Sequence, residues 1–320
     1  MGSLAAEKGF DVYMSHVCEL SDVKNNEPTV LTIGSFDGVH LGHQALVSDM
    51  VESSRRNNLQ SVVLTFYPNP AVVLGRYSNS SYIHRPEEKA SFLMDMGIDW
   101  VVTMKFDRDL AKISAADFIV QLRETLDFKQ LWCGENFAFG YDREGDIEWL
   151  TQNSDVLGFE LNVANSVEED GVVVSSSRVR HHIFSGEVSA AARCLGRPLR
   201  VPGVVIHGSG RGESIGFPTA NLSIWSHRTC PSQGVYLAYA FVDNDKYPAV
   251  VNIGKRPTFE DEDDCIIVEA HLLNYQGNLY GQRISLDFVD RLRDERKFIS
   301  SEHLVSQIHQ DVSEASLRLV

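Results

Sequence analysis

Cysteine is sparse and follows no pairing pattern. The five residues Cys18, Cys133, Cys194, Cys230 and Cys265 are odd in number and form no CxxC pair, which argues for free thiols and against a structural zinc. No uninterrupted apolar run approaches the roughly 18 residues that a membrane span needs. Basic residues are outnumbered, 29 Lys and Arg against 44 Asp and Glu, and at a net charge of −15 there is no cationic excess to condense on nucleic acid. Mononucleotides stay within reach, because backbone nests and a few arginines act at short range. The opening MGSLAAEKGFDVYMSHVCEL lacks the basic-then-apolar order of a secretory signal, so a cytoplasmic location is expected. No internal repeat is visible.

What is present suggests a globular protein of two domains. The 320 residues, 43% hydrophobic and 23% charged, divide naturally into units of about 150. The organising stretch is Leu31 to Val47, LTIGSFDGVHLGHQALV. Leu31, Thr32 and Ile33 make a short apolar run ending at Gly34, while Leu46, Val47, Met50 and Val51 recur at helical spacing. Between them His40 and His43 share one face at a helix mouth, where free backbone N–H groups and the positive dipole end favour phosphate. A metal site or a solvated loop is the alternative for two histidines beside glycines.

Residues before about Glu27 read as a first strand with a polar loop. Strand-like and helix-like segments then alternate: strand Ser61–Phe66 ending at Pro68 and Pro70, helix Pro86–Gly97, strand Trp100–Phe106, a helix capped by Ser114 and running through Leu126, and strand Leu131–Gly134. That order predicts a parallel, doubly wound sheet with ligands at the carboxyl ends of its strands. Pro68-Asn69-Pro70 and Gly134-Glu135-Asn136-Phe137-Ala138-Phe139-Gly140 fall there. Val174-Ser175-Ser176-Ser177-Arg178-Val179-Arg180 precedes a helix expected over His181–Ser185, and its hydroxyls suit capping while its arginines suit phosphates. Leu195-Gly196-Arg197-Pro198 breaks the pattern and marks a domain boundary near 186–200. Beyond it the segments GVVIHG, GVYLAYAFVD, YPAVVNIG, IIVEAHLL and ISLDFV predict a small antiparallel barrel, closed by a helix over Ser301–Leu319.

In this half Gly208-Ser209-Gly210-Arg211-Gly212 leads to Gly216-Phe217-Pro218-Thr219-Ala220-Asn221. The glycines let a loop bend over phosphates, and Thr219 and Asn221 offer hard oxygens suited to Mg²⁺. The run Glu260–Asp264 reads as a solvated acidic loop, with an acidic metal site as the sharper alternative.

His40-Leu41-Gly42-His43 resembles the HxGH signature of Rossmann-like nucleotidyltransferases, and the wider Gly34-Ser35-Phe36-Asp37-Gly38-Val39-His40 resembles the prokaryotic bifunctional riboflavin kinase/FMN adenylyltransferase (FAD synthetase) family. GENFxFG at Gly134–Gly140 is similar to that family's flavin- and nucleotide-contacting loop, with Asn136 where the family has Asp or Asn. Ser176-Ser177-Arg178-Val179-Arg180 is similar to its SSTxIR motif, with Ser177 for Thr and Val179 for Ile. Pro218-Thr219-Ala220-Asn221 resembles the Mg-ATP motif of riboflavin kinases, and Glu269 in Val268-Glu269-Ala270-His271 their catalytic glutamate, expected at a strand end. Arg256-Pro257-Thr258-Phe259, Arg291-Leu292-Arg293 and Lys297-Phe298 add to a likeness that runs from about Pro28 to the end.

The resemblance implies an α/β Rossmann-like nucleotidyltransferase domain over residues 1–186, followed by a riboflavin kinase domain over 187–320 built as a small antiparallel β-barrel with a C-terminal helix. It implies riboflavin, FMN and ATP as substrates, Mg²⁺ as the metal, and neither nucleic acid nor membrane as a partner. By it His40, His43 and Glu269 are catalytic. Gly34, Ser35, Phe36, Asp37, Ser176, Ser177, Arg178, Arg180, Gly208, Gly210, Gly216 and Pro218 contact nucleotide; Asn69, Asn136 and Phe137 contact flavin; and Thr219 and Asn221 hold metal. Two rivals are a nucleotidyltransferase with another acceptor, which leaves PTAN and Glu269 unexplained, and a flavin or nucleotide sensor without turnover.

Overall fold

A computed structural model describes residues 15–24, 27–75, 81–208, 210, 212, 215–256 and 265–319. Ser209 and Arg211 of the glycine loop, Pro257-Thr258-Phe259 and the acidic run Glu260–Asp264 lie outside the described residues. The chain divides into two compact units, residues 1–80 with 84–168, and residues 81–83 with 169–320.

In the first unit the elements run β1 (Ser15–Val17), β2 (Thr29–Ile33), α1 (Leu41–Asn57), β3 (Gln60–Tyr67), α2 (Pro70–Val73), α3 (Pro86–Asp95), β4 (Trp100–Lys105), α4 (Ala115–Leu126), β5 (Phe128–Gly134), β6 (Ala138–Phe139), β7 (Gly145–Asp146), α5 (Ile147–Leu157) and β8 (Glu160–Ala164). Six strands form one parallel sheet in the order β1-β4-β3-β2-β5-β8. All five residues of β2 are buried, as expected of a central strand covered on both faces. One apolar cluster holds Leu31, Val62, Val102, Phe118, Leu122 and Leu131; a second holds Val30, Val47, Met50, Val63, Leu93 and Val101. The helix boundaries follow local chemistry. Ser114 Oγ accepts from the Asp117 amide at 3.1 Å to open α4, and Asn58 at φ 54° closes α1. Chain order turns around at β2 and β5, so the loops after these neighbouring strands occupy the topological switch point, where doubly wound sheets bind ligands.

The second unit carries the hairpin β9 (Glu168–Glu169) and β10 (Val172–Val173), helices α6 (Ser176–Phe184) and α7 (Val188–Leu195), strands β11 (Leu199–Ile206), β12 (Ala220–Ser223), β13 (Gly234–Val242), β14 (Asp245–Arg256), β15 (Cys265–Leu272) and β16 (Arg283–Arg293), and α8 (Ser301–Leu319). The last six strands close an antiparallel barrel in the order β11-β12-β15-β14-β13-β16. Val201, Leu222, Ala238, Val251, Val268 and Phe288 are among its buried interior, and Val179, Ile183, Ala191 and Leu195 of α6 and α7 belong to the same cluster. The opposite face of β13 and β14, Val235, Leu237 and Val250, packs with Ala315 and Leu319 of α8.

Two sequence expectations need correction. The helix expected over His181–Ser185 begins five residues earlier at Ser176, because Ser175 is its N-cap and accepts from the Arg178 amide at 3.2 Å. The strands expected for the barrel omit β12, which the last two residues of PTAN begin and which is too short to show periodicity.

Helix α8 is tied to the barrel by a fork. Arg293 Nε donates to Asp311 Oδ1 at 3.1 Å and Nη2 to Oδ2 at 2.7 Å, with both side chains largely buried. Breaking one side of a buried pair strands the other charge, so Asp311→Ala is expected to destabilise the barrel unit by about 3–5 kcal/mol, read as a lowered urea midpoint. An unchanged midpoint would mean that α8 is held by its apolar face alone.

Candidate active sites

The first site grows from the end of β2. Gly34 must lack a side chain, since a methyl there would come 2.9 Å from the Phe36 ring. Phe36 at φ 46°, Gly38 at φ 88° and Val39 at φ 41° then fold the chain tightly into α1, and two non-glycine residues in the left-handed region mark stored strain. His40 is the N-cap, its Nδ1 accepting from the His43 amide at 3.4 Å. The two imidazoles stack at 3.7 Å and 19°, and Phe36 leans on His43 at 4.9 Å. His43 is half-buried, and its Nδ1 is sealed from solvent with no hydrogen-bond partner. Burial first, then the stacked His40 and the Lys89 ammonium, hold its pKa well below the usual imidazole value, so it works as a neutral ring.

Beneath this loop lies a residue that sequence reading passed over. Lys89 of α3 is 6% exposed and donates to the Ser35 carbonyl at 2.8 Å and to Thr65 Oγ1 at 2.7 Å. Burial pushes its pKa down to about 8 against the opposing pull of Asp37. Asp37, itself buried, accepts from the His84 amide at 3.4 Å. The available signal was helical phase: Lys89 falls beside Ala90 and one turn before Leu93, on the inward face of α3.

The other expected residues of this unit lie at the carboxyl ends of the strands flanking β2. Asn69 follows β3 and caps α2, its side chain accepting from the Ala71 amide at 2.9 Å. Asn136 is exposed after β5, and Phe137 is half-buried and stacks on Phe139 at 5.4 Å. The last glycine of GENFxFG answers to packing, because a methyl on Gly140 at φ 76° would lie 2.7 Å from the Ala115 amide nitrogen.

Ser176, Ser177, Arg178 and Arg180 stand on the first turns of α6, in the second unit. Arg178 Nη1 donates to the carbonyls of Glu169 at 2.9 Å and Val172 at 2.5 Å, so part of its fork is engaged by the hairpin.

The barrel site is built across three strands. Asn221 of β12 pairs in register with Glu269 of β15, which pairs in register with Asn252 of β14. The alternation that buries Leu222, Val268, Ala270, Val251 and Ile253 inside the barrel turns Asn221, Glu269 and Asn252 outward as a half-buried polar row. Glu269 therefore sits within its strand rather than at the end, held between two amides whose positions the ladder fixes. Asn252 was missed because nothing local distinguishes it in a strand.

Gly208 lies against the Asn221 end of this row. A methyl on Gly208 would collide with the Asn221 amide, and one on Gly212 with the Phe217 carbonyl and, at 3.1 Å, with Thr219 Oγ1. Gly210 and Gly216 take positive φ, 70° and 87°, and Pro218 offers its carbonyl to His271 Nδ1 at 2.8 Å. A cavity of about 510 Å³ beside it is lined by Ile215, Ser301, Glu302, Val305, Ser306 and His309. Gly212→Ala is expected to cut any phosphoryl transfer at this site by about 100-fold, because backbone carrying Thr219 must move; full activity would show that the loop tolerates displacement.

Residues 22–178 match the sequence model of FAD synthetase and residues 195–319 that of riboflavin kinase. The chain is 36% identical over 287 residues to the bifunctional riboflavin kinase/FMN adenylyltransferase of Pseudomonas fluorescens, covering 89% of this chain and 91% of that one. It belongs to the bifunctional riboflavin kinase/FMN adenylyltransferase family. The Bacillus subtilis member is 34% identical over 289 residues, with 90% and 91% covered. A crystal structure from Streptococcus pneumoniae, described as a macrolide-efflux protein, shares the fold at TM-score 0.87 and 29% identity, over 95% of this chain and 99% of that one. Among the described residues here, no helix is long and apolar enough to cross a membrane. His40 and His43 lie in the parallel-sheet unit and Thr219, Asn221 and Glu269 in the barrel unit, while Ser176, Ser177, Arg178 and Arg180 also fall in the second unit by chain division.

Proposed function

We propose that this chain makes FMN and then FAD, with the barrel phosphorylating riboflavin and the parallel-sheet unit adenylylating FMN. The observation that carries the reading is that each unit keeps its own reactive set: Glu269 in register with Asn221, and His40 stacked on His43 at the switch point. The working division is 1–186 for adenylyl transfer and 187–320 for the kinase; the matched segments end at 178 and begin at 195, whereas the compact units divide the chain after residue 168, so residues 169–186 go with the first function by sequence and with the second unit by packing. ATP serves both steps as substrate, and the expected setting is the cytoplasm.

In the barrel, Glu269 accepts the proton of riboflavin's ribityl 5′-hydroxyl as that oxygen attacks the γ-phosphate of ATP. Gly208, Gly210, Gly212 and Gly216 carry no side chain to keep phosphates from the backbone. Thr219 and Asn221 fit a divalent cation, Mg²⁺ by the hardness of their oxygens. They are neutral oxygen donors beside glycines that let backbone come close, a set that fits a cation sharing its remaining positions with phosphate oxygens. When bound, that cation neutralises charge on the phosphates. The cavity beside His309 and Val305 suits the flat apolar ring of a flavin.

In the first unit the FMN phosphate attacks the α-phosphate of ATP and pyrophosphate leaves. The nucleophile is already an anion, so no general base is required. The step needs hydrogen-bond donors on the crowded phosphorus and the departing pyrophosphate, which His40 and His43 supply at the α1 N-terminus beside Gly34–Asp37. Ser176, Ser177, Arg178 and Arg180 are assigned to the nucleotide by motif likeness, and Asn69, Asn136 and Phe137 to the flavin by their place at the strand ends.

Fluorescence tests the reading, since riboflavin and FMN are bright whereas adenine stacking quenches FAD. Catalytic enzyme is expected to quench a large excess of riboflavin when ATP and Mg²⁺ are supplied. A change that stops at one flavin per protein would mean a binding protein instead.

A further inference from the structure

The buried lysine under the first signature loop has no part in the scheme above, and its placement is unusual. Lys, among the residues least often buried without a partner, here lies 6% exposed with one N–H on the Ser35 carbonyl and another on Thr65 Oγ1, while Thr65 Oγ1 also donates to that carbonyl at 3.1 Å. The anchored carbonyl belongs to the residue directly before the strained turn Phe36–Val39, at whose far end His40 caps α1. The loop is gripped a second time from just before α3, through the His84 amide on Asp37. An uncharged apolar side chain would fill this space without a desolvation penalty, so the cost of burying an ammonium asks for a return.

We infer that Lys89 is a positioning residue for adenylyl transfer: its ammonium pins the Ser35 carbonyl and balances the Asp37 carboxylate, holding the Gly34–His40 turn in the form that presents His40 and His43 to the nucleotide phosphates. The inference rests on the assignment of those histidines to the adenylyl-transfer site.

The charged groups around Lys89 fix what pH does. Asp37 of the loop favours the ammonium; His43 of α1 and His16 of β1 lie within its field, and Glu87 of its own helix acts on His16. With a pKa near 8, the ammonium is lost in mildly alkaline solution. Asp37 then keeps its charge without the Lys89 ammonium beside it, under a site that must receive two polyanionic substrates. kcat/KM for adenylylation should therefore fall above that pH, whereas riboflavin phosphorylation by the barrel should not follow the same limb.

The test uses the full-length protein with Lys89→Met, assayed for both activities from pH 6 to 10, alongside His43→Ala. The expected result is adenylylation of supplied FMN lowered by on the order of 100-fold, phosphorylation of riboflavin within about twofold of wild type, and the alkaline limb gone. Wild-type adenylylation and an intact limb in Lys89→Met, with His43→Ala inactive, would overturn the inference while leaving the site assignment standing. An active His43→Ala would remove the assignment itself and the inference with it. Should Lys89→Met lose both activities, Thr65→Val decides: it removes the hydroxyl that accepts from Lys89 and donates to the Ser35 carbonyl but leaves the ammonium in place, and the limb must move to lower pH because the ammonium is less well held. A limb that stays put overturns the inference.

Discussion

His43→Ala stops FAD formation while FMN accumulates, with adenylylation lowered by about 10²–10³-fold, the cost of deleting one preorganised donor to developing charge. The size follows from the setting. The ring is fixed by the stacked His40 at 3.7 Å and by Phe36 at 4.9 Å, so its donor needs no reorganisation as pyrophosphate departs. It is neutral, so the substitution removes a hydrogen bond and leaves the site's charge unchanged. Riboflavin phosphorylation persists, because the barrel carries its own residues. Product analysis after a fixed time checks this, and normal FAD output would remove the histidine pair from the mechanism. A second signature comes from linkage. The folded pKa of His43 is depressed, so native and unfolded chains bind no proton there above about pH 6.5. Below that value only the unfolded chain gains the proton, and stability is lost as pH falls. His43→Ala lacks this loss, so its stability falls less steeply on acidification than that of the wild type.

Glu269→Gln gives the complementary result: riboflavin phosphorylation drops by about 10²–10⁴-fold, the range spanned by a positioned general base, while supplied FMN is still converted to FAD. Glutamine keeps the shape of the row Asn221–Glu269–Asn252, so the ladder around it is undisturbed and the change isolates proton acceptance. Retained phosphorylation would mean that Glu269 only orders its neighbours. Loss of both activities would point to a folding defect, which the thermal transition of the variant would reveal.

The architecture was legible where local chemistry and period agreed. Ser114, Pro86 and the Gly34 turn each announced an element boundary, and the alternation of strands and helices implied the parallel sheet whose order places Gly34–His40 and Gly134–Phe137 at adjacent strand ends. The barrel was legible as short strands without helices between them. Failures fell where tertiary context decides. β12 is four residues long and exists because β11 and β15 flank it. α6 begins at Ser176 because Ser175 takes the cap, a choice that three consecutive serines leave open from sequence. Lys89 was invisible because PEEK opens a helix as plausibly facing solvent, and only the fold brings Thr65 and Ser35 to its ammonium. Glu269 was found through its motif, but its place between two asparagines is a property of register.

The most direct test is chromatography of the flavins formed when the purified protein is mixed with riboflavin, ATP and Mg²⁺. FMN appearing first and FAD following at its expense is the predicted result. FMN that never proceeds to FAD, even when supplied in excess with fresh ATP, would contradict the assignment of adenylyl transfer to the His40–His43 unit.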